Sequence, residues 1–148
     1  MEKLVTMSET SYRIHSLYCG VGKGIIEKRD KLLIYTNGVK DDYHHDKNII
    51  LLDLKTYQFM IQNSDTALCM SKFYAHIIID KPINLNVKDV IFHKDMKLIV
   101  TQVGKECHMS NGCDYFRQNH ICELSKNTYY LQSITMGEVN INEKWGII

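Results

Sequence analysis

The stretch Met96-Lys97-Leu98-Ile99-Val100-Thr101-Gln102-Val103-Gly104-Lys105-Glu106-Cys107-His108 decides how the chain is read. From Met96 to Val103 it is apolar and β-branched, the composition of a strand. Gly104 ends the run, because a residue without a Cβ serves where extended chain must turn sharply. Reactive side chains follow at once: Lys105, Cys107 and His108, then Cys113, His120 and Cys122. A strand end fixes position while the loop after it exposes side chains, so a functional group is expected here.

Similar short runs lie on either side. Lys31 to Thr36 stops at the turn pair Asn37-Gly38, and Asn48 to Leu52 is another strand candidate. Phe73 to Ile79 is closed by Asp80-Lys81-Pro82. Val87 to Phe92, Thr128 to Thr135 and Gly137 to Ile141 complete the set. Close recurrence with turns between is the pattern of a small barrel or sandwich. One segment has a different period. Leu54, Tyr57 and Ile61 fall at helical spacing behind Asp53, a suitable N-cap, which predicts a helix at about 53–63. A second short turn is expected over Asp65 to Ser71. Gly20-Val21-Gly22-Lys23-Gly24 reads as a turn, because no helix pattern follows to make it a phosphate loop. The expected class is mainly β, a small closed or partly open β-barrel with one or two short helices.

At 148 residues the chain fits one domain, expected over 1–148 with a flexible tail at 1–11. A domain of this size buries roughly two-thirds of its unfolded surface and needs no disulfide or metal to fold. Lys plus Arg number 18 and Asp plus Glu 17, so charge alone drives no binding to nucleic acid or membrane. The N-terminus is polar and lacks the apolar run of a signal peptide, which predicts a cytoplasmic protein. Five cysteines in a reducing compartment point to free, catalytic or metal-binding thiols.

Cys107 has Lys105 and His108 as sequence neighbours, and a nearby cation favours the thiolate. The same residues permit a second chemistry. Cys107, His108, Cys113, His120 and Cys122 suit zinc by ligand type, although the spacing is not that of paired CxxC motifs. A second cluster, Asp41-Asp42-Tyr43-His44-His45-Asp46-Lys47, offers metal ligands or general acid–base groups, or is simply a polar loop. His76 interrupts an apolar run, where a buried imidazole needs a partner. No GxxxxGK[ST], GxGxxG, HExxH or GxSxG motif occurs.

The order of these segments resembles the MOSC domain, named after the C-terminal part of molybdenum cofactor sulfurases. Gly38 to His44 followed by Lys47 to Leu52 is similar to its G-x-x-G-D-x-H … R-Q-V-S-L-L start. Phe73-Tyr74-Ala75-His76-Ile77 stands where the family has F-x-E-N-I. Leu85 to Val103 resembles its central hairpin, and Gly104-Lys105-Glu106-Cys107-His108 matches the G-K-E-C-H of small stand-alone bacterial members. Cys113 and Cys122 match the two cysteines that follow, and Met136 to Val139 looks like the closing strand. The likeness covers roughly residues 30–142.

That resemblance implies a barrel of the pyruvate-kinase type that binds molybdenum cofactor or carries sulfur on a cysteine, without pyridoxal phosphate. It implies Cys107 as the catalytic thiol and molybdenum ligand, in reduction of N-hydroxylated compounds or in sulfur transfer. Asp42, His44, Lys47, Lys105, His108 and Arg117 are the implied cofactor-binding residues, with Cys113, Cys122 and His76 as secondary candidates. The implied partners are a small-molecule cofactor or substrate and a redox partner. An exposed edge strand would also permit a homodimer. Two further readings stand beside it: a non-catalytic barrel acting as an interaction module, and a structural zinc protein. The chain departs from the family pattern at several points. Asp41 replaces a glycine, Lys47 replaces an arginine and so lacks its bidentate fork, and Ala75-His76 replaces Glu-Asn.

Overall fold

The computed structural model describes residues 11–43, 48–63, 73–105 and 123–147. In chain order these form β1 (Tyr12–Gly22), β2 (Ile25–Arg29), β3 (Lys31–Tyr35), β4 (Gly38–Val39), β5 (Ile49–Asp53), α1 (Leu54–Gln62), β6 (Ile77–Ile79), β7 (Val90–His93), β8 (Met96–Val103), α2 (Glu123–Asn127), β9 (Tyr129–Ser133), β10 (Gly137–Asn140) and β11 (Lys144–Ile147).

Seven strands close into a barrel in the order β1-β6-β5-β9-β8-β7-β11 and back to β1. Closure is made where Tyr12 and Arg13 pair with Trp145 and Lys144, so residues from the two ends of the described chain meet. Every contact around the ring is antiparallel except β5–β6, which is parallel. The second half of β1 runs past the closure and pairs with β2, which forms the sheet edge. A separate three-stranded sheet, β10-β3-β4, adds Leu32, Ile34 and Val139 to the main core.

Side-chain alternation explains the two layers. Ile49, Leu51, Ile77, Ile79, Leu98, Val100 and Leu131 point into the barrel and are buried, so the interior is a filled apolar core. Leu52 and Ile78 point outward and are covered by Met60 of α1, Leu124 of α2 and Ala75. Strands β5 and β6 are therefore buried on both faces, as parallel strands under helices are. The expected helix is present: the Asp53 carboxylate accepts a 2.8 Å hydrogen bond from the Thr56 amide, one of the amides a helix start leaves unpaired. Beside the closure, the Glu143 carboxylate accepts from the Asn140 amide at 3.0 Å and from Trp145 Nε1 at 3.3 Å, fixing the turn that leads into β11.

The mainly-β barrel expectation is met, with differences in detail. Strands β1, β2, β4 and β11 lie outside the segments that the sequence marks as strands, and Gly38 of the Asn37-Gly38 pair opens β4. Gly20 and Gly22 lie within β1, and the turn falls on Lys23 and Gly24, where Gly24 has φ +73°. The run from Phe73 is strand only over Ile77–Ile79, because Tyr74 and His76 direct their side chains into a polar cluster instead. The Asp65 to Ser71 turn and most of the 1–11 tail lie outside the described residues. No helix among those described is long and apolar enough to cross a membrane.

Leu51→Ala, which empties a fully buried site, should lower the unfolding free energy by about 3 kcal/mol. Asp53→Ala should lower it by about 1 kcal/mol through loss of the cap. Urea midpoints read both, and a silent Asp53→Ala would show that the cap does not stabilise α1.

Candidate functional site

A buried carboxylate organises one end of the barrel wall. Asp42 is only 4% exposed. Its Oδ1 accepts from the Gly20 amide at 2.8 Å and its Oδ2 from the Tyr74 hydroxyl at 2.8 Å. His76 Nε2 stands 3.3 Å from Oδ1. The other ring nitrogen, Nδ1, accepts the Ile50 amide at 3.0 Å, so the proton resides on Nε2. That nitrogen is buried and has no well-aligned hydrogen-bond partner, so its approach to Asp42 is a bent contact. Burial by itself would raise the Asp42 carboxyl. The His76 contact, the Gly20 amide and the Tyr74 hydroxyl outweigh burial and hold it at about 2.

Local backbone makes this cluster possible. Asp42 follows a turn in which its amide bonds the Val39 carbonyl at 3.3 Å and Asp41 takes φ +65°. This is the position where the MOSC pattern has glycine, the residue for which a positive φ carries no steric cost. Asp41 is of a type that tolerates the left-handed region better than most. Gly20 is required for a different reason. A Cβ there would lie 2.5 Å from the Tyr74 hydroxyl and 2.8 Å from the ring carbon bearing it, so Tyr74 can reach Asp42 only across bare backbone. Cys19, next to Gly20, is fully buried; desolvation and then the Asp42 charge push its thiol up to about 11, which keeps it inert.

The reactive segment leaves from a pinned base. Gly104 has φ +89°, and its amide bonds the Thr128 carbonyl at 2.7 Å. The Lys105 amide then bonds the Leu124 carbonyl at 3.2 Å, so the chain that departs after Lys105 returns beside it. The Lys105 ammonium stands 5.4 Å from the Phe73 ring centroid, a cation–π distance. Phe73 precedes Tyr74, whose hydroxyl is on Asp42. Segment 73–76 thus joins the loop base to the carboxylate cluster.

Of the residues singled out in sequence, Asp42, His76 and Lys105 are described and share this region. His44, Lys47, Cys107, His108, Cys113, Arg117, His120 and Cys122 lie outside the described residues, and so does the zinc reading built on the cysteines. Among the described residues there is no group of three or more metal-ligating side chains. Both Asp42 oxygens are engaged inward, which suits a residue that holds the chain in place. Nothing in the local sequence marks Gly20 or Tyr74 as part of a site. One lay in a glycine cluster read as a turn and the other in an apolar run.

No protein-family profile matches the chain, and no curated protein matches it in sequence. Solved structures do. YuaD from Bacillus subtilis superposes with a TM-score of 0.66 at 12% identity, covering 93% of this chain and 95% of YuaD. YiiM from Escherichia coli gives 0.63 at 15% identity, covering 93% of this chain and 69% of YiiM. A structure titled as a hypothetical protein gives 0.65 at 18% identity, over 97% of this chain and 70% of that one. YuaD and YiiM are MOSC-domain proteins, so the fold of this chain is MOSC-like.

Asp42 binds its proton more weakly in the folded chain than in the unfolded one. Its contribution is therefore complete above about pH 4 and fades as pH falls towards 2. Relative to Asp42→Asn, which cannot titrate there, the wild type should lose about 2 kcal/mol across that window. Denaturant unfolding of both proteins at stepped pH measures it, and parallel profiles would refute it. Asp41→Gly should stabilise the protein by about 0.5–1 kcal/mol by removing the left-handed strain, read as a rise in Tm.

Proposed function

We propose that the chain is a MOSC-like protein that binds molybdenum cofactor, or carries sulfur, through Cys107, with reduction of N-hydroxylated compounds as the associated chemistry. One observation supports this above the others. The segment bearing Cys107 starts and ends on a tied base, where Lys105 meets Phe73 beside the Asp42 cluster.

The described residues suit an anionic pterin in one respect: Lys105 brings a cation to the loop base. Asp42 and His76 would act from behind, fixing segment 73–76 and the turn that leads to His44 and Lys47. When bound, the cofactor would supply a redox-active metal for which a thiolate is a fitting soft ligand. Lys47, His108 and Arg117 complete the proposed anion-binding set.

In the sulfur-carrying form no metal takes part. The Cys107 thiolate attacks the outer sulfur of a donor persulfide, the donor thiolate leaves, and Cys107 holds the persulfide. The apolar filling of the barrel interior supports a second reading, a non-catalytic interaction module.

Protein purified from cells that make molybdenum cofactor should contain molybdenum by mass spectrometry, and Cys107→Ser should lose at least about tenfold of it. For the sulfur form, intact-mass analysis after exposure to a persulfide donor should show one added sulfur on the wild type and none on Cys107→Ser. Failure of both measurements would overturn the proposal and leave the interaction module.

A further inference from the structure

A cleft of about 430 Å³ opens at the opposite end of β5 and β6 from the Asp42 cluster. Because β5 and β6 are parallel, the cluster sits at their N-terminal ends, on Ile50 and His76. The cleft lies past their C-terminal ends, between the start of α1, the chain after β6 and the end of α2. Its volume falls within the roughly 300–1,000 Å³ of small-molecule sites.

The lining is cationic and rich in donors. Lys55 comes from α1 and Lys126 from α2, and both are exposed. Neither takes part in an ion pair among the described residues. The acid in the lining, Asp53, already accepts the Thr56 amide as the helix cap. Lys55 lies in the first turn of α1, which holds no acidic residue, so its charge adds to the positive end of the helix dipole. The two lysines outnumber the one acid of the lining, Asp53, so the cleft carries a net positive charge that a bound anion would offset. Asn84, Asn127 and Tyr12 add uncharged polar groups around them. Burial and then Tyr129 raise the Tyr12 phenol, so its hydroxyl keeps its proton as a donor. Lys81 caps the outer side of that ring at 5.3 Å.

We propose that this cleft binds a small phosphomonoester, with Lys55 and Lys126 holding the phosphate and Asn84, Asn127 and Tyr12 holding the polar body. A phosphate fits because two compact ammonium groups match a dianion, and the volume leaves room for more than the phosphate. Binding at this cleft does not depend on what Cys107 does.

The probe is ribose 5-phosphate, titrated into the full-length protein and followed by amide chemical shifts. Shifts are expected at residues 53–56, 83–84 and 126–127, saturating with an apparent Kd at or below about 1 mM. The double variant Lys55→Gln/Lys126→Gln should bind at least about tenfold more weakly. Its amide spectrum away from the cleft should be unchanged. A control, Lys94→Gln/Lys97→Gln, should bind like the wild type. Absence of shifts at about 10 mM probe would overturn the proposal. So would a loss below tenfold in the cleft variant, or an equal loss in the control, which would mark diffuse charge alone.

Discussion

The structure depends on one strand having three partners. β1 closes the ring against β11 through Tyr12 and Arg13, pairs with β6 from Ile14 to Leu17, then runs on to pair with β2. Without the closing pairs β11 would be held by β7 alone, and the ring would open into a sheet with unpaired edges. The part of β1 beyond the closure matters equally, because it carries Gly20, whose amide and bare Cα surface receive Asp42 and Tyr74.

The second organising element is a carboxylate kept charged where charge is unfavourable. Two hydrogen-bond donors, the Gly20 amide and the Tyr74 hydroxyl, and the close His76 imidazole converge on Asp42, tying β1 to the approach to β6, while His76 in turn accepts the Ile50 amide of β5. Removing one donor leaves the others beside a poorly solvated anion, so such a cluster is fixed as a unit. It borders the loop base at Gly104 and Lys105 through Phe73, and links barrel geometry to the place where reactive side chains leave the sheet.

Much of the fold was legible in the chain because strands such as Met96–Val103 and the capped helix after Asp53 obey simple periods. β1 was not, and the reason is physical. An irregularity between Ile14 and Ser16 shifts the register, so Ser16 and Leu17 are both buried and the alternation that marks a strand is broken. Within the site, Asp42 and Lys105 could be named from a motif resemblance, and His76 from its place in an apolar run. Gly20 and Tyr74 could not. Their roles come from a close approach between residues far apart in sequence, which no local pattern records.

The lone parallel pair, β5–β6, also has a topological meaning. A ring of seven strands whose neighbours all ran in opposite directions could not close, since alternation around a circle demands an even number of members. One pair must share a direction, and such a pair cannot be joined by a hairpin; it needs a long excursion across the outside of the sheet. The chain between β5 and β6 makes that connection, and its described parts are α1 and residues 73–76. α1, Phe73, Tyr74 and His76 all ride on it, so the outer layer that meets the loop base at Lys105 follows from the arithmetic of closing an odd barrel.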